Sequence, residues 1–178
     1  RQNAQAALEA DQEAIRLILS PDPQAPKLAY LRMRVNQAHN TLFNTLNQAM
    51  QEPGFNSRYL EDMKLWVTHS QFIVEHINAM TTLAREHEML TPNLAQQYLE
   101  SSEIALQRCQ QRLEYDEAGS SGEVNIMESP DALSHGPLST MEQHLQRILG
   151  HLNTMHTISS VAWRQRPRQG GWLKRRTS

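Results

Sequence analysis

Eight histidines, a lone cysteine and a cation-rich C-terminal run are the side chains of this 178-residue sequence with the most chemical potential. His69, His76 and His87 fall on nearly one line of a helix, at offsets of 7 and 11 residues. At 1.5 Å rise those offsets are about 10 and 16 Å, too far apart for ligands that each sit ~2 Å from a single ion. No His-Glu-x-x-His occurs and no His has a Glu three residues before it, so neither the zinc-protease pattern nor the bundle di-iron pattern is present. The line is bordered by Ile73 and Met80 on one side and Leu65, Phe72 and Leu83 on the other. The expected role is therefore at the margin of a helix contact, with His69 and His76 retained as ligand-binding candidates.

His156 is the third candidate, placed by spacing near the centre of an apolar face between Leu149, Leu152 and Trp163, where burial would favour the neutral ring. Trp163 is the fourth. Either His156 is a buried ring bonded to a carbonyl or hydroxyl, or it contacts a ligand or responds to pH. Cys109 is flanked by Arg108 and Arg112, which could lower a thiol pKa, although a lone helical Cys is more commonly a small buried hydrophobe. No Ser-His-acid motif, Cys-His motif or Gly-rich phosphate loop is visible. No motif supports an enzyme, and no metal or cofactor is expected.

The cationic run Trp163-Arg-Gln-Arg-Pro-Arg-Gln-Gly-Gly-Trp-Leu-Lys-Arg-Arg176 interleaves Arg164, Arg166, Arg168, Lys174, Arg175 and Arg176 with Trp172. It reads as a solubilising end, a nucleic-acid arm or a segment lying on an anionic membrane surface. Residues 1–163 hold eleven Lys/Arg and all nineteen Asp/Glu, a formal −8, while residues 164–178 hold six cations and no acid. The acidic body would repel phosphate, so nucleic acid is not the expected partner and the membrane-contact reading keeps these seven residues as candidates.

The elements that must position these groups are helical. Leu, Gln and Ala are abundant and β-branched Val and Ile scarce. A first helix is expected from about Ala4 to Leu19, stopped by Ser20-Pro-Asp-Pro, and a second from Pro26 to Pro53-Gly54 through Leu28, Leu31, Val35, Leu42 and Leu46. The third, roughly 57–88, carries Met63, Trp66, Ser70, Ile73, Ile77 and Met80, with a side stripe of Leu60, Val67 and Val74 that implies two neighbours. Thr91-Pro92 opens a fourth helix to about Asp116. Residues 117–138 have turn formers and no period, and read as a flexible loop. Ser139-Thr-Met-Glu142 is a capping box opening a fifth helix that should run to about Arg166, followed by the basic tail at 167–178.

The expected fold is an all-α antiparallel bundle: a four-helix part over 1–116, a loop, and a fifth helix over 139–166 that returns to complete it. No apolar run exceeds four residues, far short of the ~20 needed to span a bilayer, and one Cys excludes an intrachain disulfide framework. The stretches 35–51 and 148–163 contain no Asp, Glu, Lys or Arg. Solvated helix faces normally carry such charges, so these stretches are either ordinary wet surface or a second contact, with a partner chain or with another part of a larger protein. The helix-like start at Arg1, with no cap before it, reads as an excerpt from a longer chain.

Two long segments carry a resemblance. Asp62-Met-Lys-Leu-Trp-Val-Thr-His-Ser-Gln-Phe-Ile-Val-Glu-His-Ile-Asn-Ala-Met-Thr-Thr-Leu-Ala-Arg-Glu-His87 and Gly150-His-Leu-Asn-Thr-Met-His-Thr-Ile-Ser-Ser-Val-Ala-Trp-Arg-Gln-Arg-Pro167 resemble the C-terminal cytoplasmic region of YccS/YhfK-type bacterial inner-membrane proteins. These are related to the fusaric acid resistance and aromatic acid exporter proteins. The resemblance implies a parent with membrane-spanning blocks followed by soluble helical regions, exporting small molecules. Under it, this domain acts on the cytoplasmic side in assembly or gating, with the membrane-spanning part of its parent, and a second copy, as partners. No transport residue carries over, because the membrane part is not in this sequence. The competing reading is a small-molecule-binding sensor bundle using His156 or the third-helix histidines.

Overall fold

The computed structural model describes residues 1–52, 60–114 and 137–158, which form five helices and, among the described residues, no strand: α1 Gln2–Ile18, α2 Ala25–Gln51, α3 Leu60–Arg85, α4 Pro92–Glu114 and α5 Thr140–Thr157. The chain is all-α, as its periodicity predicts. Local chemistry accounts for the ends. α1 stops where Ser20 Oγ donates to the Leu17 carbonyl at 2.7 Å and Pro21 follows. Pro92 stands at the first position of α4, where its missing N–H costs nothing. The capping box of α5 forms as read: Glu142 N–H donates to Ser139 Oγ at 3.3 Å and Ser139 N–H donates to Glu142 Oε2 at 2.9 Å.

Two terminal details depart from expectation. α3 ends at Arg85, so His87 is not on its helical line; it adopts φ 61° and is exposed. Glu88 N–H reaches the Leu83 carbonyl at 3.0 Å and His87 N–H the Ala84 carbonyl at 3.2 Å, a Schellman stop with His where glycine is preferred. At α5, Thr157 Oγ1 donates to the Thr154 carbonyl at 2.7 Å and Ile158 turns extended. The helix expected to run to 166 thus closes at Thr157, where hydroxyl and β-branched residues compete with helical bonding; residues 159–178 lie outside the described residues.

Side-chain pairs give the directions. Asn3 with Thr45 and Glu13 with Arg34 run α1 antiparallel to α2, and Asn36 with Asn78 and His39 with Ser70 do the same for α2 and α3. Gln5 with Glu114 and Arg16 with Glu103 run α1 antiparallel to α4. α5 packs antiparallel to α3 but parallel to α4, as Tyr98 with Gln146 and Cys109 with Leu152 show. The sequentially adjacent α3 and α4, expected as antiparallel neighbours, run antiparallel but barely touch, because α1 and α5 pack against both. The two stripes of α3 explain this: α2 and α5 take its two sides while its centre meets α1. α1 is the most enclosed helix, with Ala4, Ala7, Ala10 and Ala14 all buried so that three helices approach its backbone closely.

Candidate functional site

Four imidazoles form a continuous row on the outer seam between α3 and α5. His69 Nδ1 lies 2.9 Å from His151 Nδ1, and His76 Nδ1 lies 3.0 Å from His144 Nδ1. The rings of His76 and His151 stack between those two pairs at 5.6 Å and 21°, and exposed Phe72 stacks on His151 at 5.2 Å and 22°. Both helices carry their histidines seven residues apart, so an antiparallel pairing that brings one pair together brings the other. His144 and His151 were not singled out from sequence; that shared spacing was the available signal.

A 3 Å separation between two ring nitrogens holds one hydrogen: one ring donates and the other accepts. Each pair tolerates two neutral rings or one proton shared, and doubly protonated rings repel. Burial, then His144, His151 and the Arg147 guanidinium, push His76 down to about 4. His144 is lowered by burial and Arg147, and His151 by burial, His69 and Arg147. At neutral pH these three rings are therefore uncharged. Each pair offers two nitrogens, and among the described residues no three His, Cys, Asp or Glu converge on one position for a metal ion.

The other candidates are dispersed. His156 is half-buried at the α4–α5 boundary, beside rather than central to the face of Leu149, Leu152 and Met155; burial, Arg112 and Arg108 lower its pKa. Its position one residue after buried Met155 rotates it off that face. Trp163, Arg164, Arg166, Arg168, Trp172, Lys174, Arg175 and Arg176 lie outside the described residues. Cys109 is buried and its Sγ donates to the Leu152 carbonyl at 3.2 Å. Burial pushes the thiol up to about 12, so Arg108 and Arg112 do not activate it and the plain reading holds.

Tertiary packing also assembles a Ser-His-acid chain that local sequence does not announce. Asp11 Oδ1 meets His39 Nε2 at 2.9 Å, and Ser70 Oγ meets His39 Nδ1 at 2.7 Å. Asp11 is 0%, Ser70 1% and His39 4% exposed, so the serine has no approach for a substrate. These groups tie α1, α2 and α3 into one register inside the core. Among the described residues Asp11 Oδ2 has no hydrogen-bond partner.

This arrangement defines a class: an all-α bundle with a surface imidazole seam and a sealed polar core. No protein-family model and no solved structure matches it. The chain is 75% identical over 177 residues to "Uncharacterized protein YhfK" of Escherichia coli (strain K12), covering 99% of this chain and 25% of that protein. It therefore corresponds to about a quarter of a longer relative. Among the described residues no helix is long and apolar enough to cross a membrane.

Proposed function

We propose that the chain is a non-catalytic, cytoplasmic domain of an inner-membrane transport protein that exports small molecules, aromatic acids among them, and that it acts in assembly or regulation by docking on the rest of its parent. The observation that carries this reading is the outer face of α2. Tyr30 and Met33, 55 and 57% exposed, share that face with exposed Gln37, Asn40, Asn44 and Gln48. Phe43 and Met50, 40 and 36% exposed, lie toward its edge beside the buried stripe, and no charge occurs from Val35 to Gln51. A helix face that remained in water would gain nothing from four large apolar side chains, whereas a covered face gains from each. The similarity over a quarter of a longer protein supports the reading, because the remainder of such a parent is the proposed cover. The membrane-spanning part is the first proposed partner and a second copy another, with anionic lipid the proposed partner of the six cations between 164 and 176.

Introducing Phe43→Glu and Met50→Glu into the full-length protein tests it. The isolated bundle should melt within about 3 °C of wild type, because both sites are exposed, while the full-length protein should lose assembly or become protease-sensitive beside this domain. Unchanged assembly and activity would remove the docking role. The sensor reading rests on a different observation, the α3–α5 row, where Phe72 offers an aromatic face beside His151. Benzoate titrated at pH 5 and 7.5 should then shift the His69 and His151 ring signals; no response at either pH ends that reading.

A further inference from the structure

A second feature, separate from the imidazole row and from the face of α2, lies where the C-terminus of α1 meets the N-termini of α4 and α5. A cleft of about 330 Å³ opens there, walled by Ile18, Met89, Leu90, Ala95, Leu99 and Met141. Ser20 and Gln96 are its polar side chains, and both are engaged: Ser20 Oγ donates to the Leu17 carbonyl at 2.7 Å, and Gln96 Nε2 to Glu100 Oε1 at 2.7 Å. Among the described residues no acidic or basic side chain lines it. We infer that this cleft binds a neutral, apolar small molecule of one substituted ring or two fused rings, and that it discriminates against carboxylates.

The size follows from volume: an apolar cavity of about 150 Å³ holds benzene, and this one is roughly twice as large. The charge preference follows from the lining. A carboxylate leaving water for these walls would lose its hydration with no cation to replace it, while an apolar ring gains in proportion to the area it buries. The two methionines suit the task, since a thioether bends to irregular shapes and contacts ring edges favourably.

The test is titration of the protein with indole, toluene and benzoate, read from the methyl carbons of its methionines by NMR. Met89 and Met141 should shift saturably with indole and toluene, while Met33 and Met50, on the outer face of α2, should not. At ten times the dissociation constant the melting temperature should rise about 4 °C. Ala95→Phe, which fills the cleft, should weaken indole binding at least tenfold. If that variant fails to fold, the wild-type titration decides alone. Absence of a saturable shift at Met89 and Met141, or benzoate binding as tightly as indole, would overturn the inference. Neither result bears on docking through α2.

Discussion

Replacing His76 with glutamine removes one titrating ring from the seam while leaving an amide that can bond to His144. The folded ring is held at about 4, against an unfolded value near 6.5, so the unfolded chain takes up the proton first as pH falls. The stabilisation from this ring is complete above pH 6.5, declines below it and is exhausted near pH 4. A shift of that size corresponds to ~3 kcal/mol at 1.36 kcal/mol per unit, and because the ring edge meets solvent about half is retained, giving ~1.5 kcal/mol. Urea unfolding at pH 7.5 and 4.5 measures it. Carboxylates and the other imidazoles titrate in both proteins, so the quantity of interest is the difference: wild type should lose ~1.5 kcal/mol more than His76→Gln between those pH values, about 0.7 M in urea midpoint. Equal losses in the two proteins, within 0.3 kcal/mol, would refute the claim that the seam excludes a second proton.

The remaining expectations concern the core and one helix end. Asp11→Leu should cost about 2–3 kcal/mol in urea unfolding by leaving His39 Nε2 without its partner, and Asp11→Asn, which keeps an acceptor, should cost less than half of that. His87→Gly should stabilise the chain by about 1 kcal/mol, because φ 61° strains a residue with a Cβ, and a thermal melt reads the change. The Cys109 thiol should react with a thiol reagent at pH 8 at least a hundredfold more slowly in the folded chain than in urea, as its burial and raised pKa require.

What could be read from the sequence was what a single helix dictates. Met63, Trp66, Ser70, Ile73, Ile77 and Met80 repeat at helical spacing and are all buried, and the side stripe of Val67 and Val74 foretold that α3 has two flanking partners. Ser139 and Glu142 cap α5 because the capping box is a four-residue interaction. Information held between helices was not accessible in that way. His39 and Asp11, 28 residues apart, looked like ordinary polar positions until α1 and α2 paired. His144 and His151 acquire meaning only opposite His76 and His69, in a register that the core residues set. His87 misled because its spacing continued a helix that its own backbone had already left.

The docking of α2 is the central claim, and one labelling experiment reaches it directly. With Phe43→Cys in both the isolated bundle and the full-length protein, each carrying no other cysteine than the buried Cys109, the rate of maleimide modification reports whether that face is covered. The account predicts modification at least tenfold slower in the full-length protein than in the isolated bundle; equal rates would contradict it.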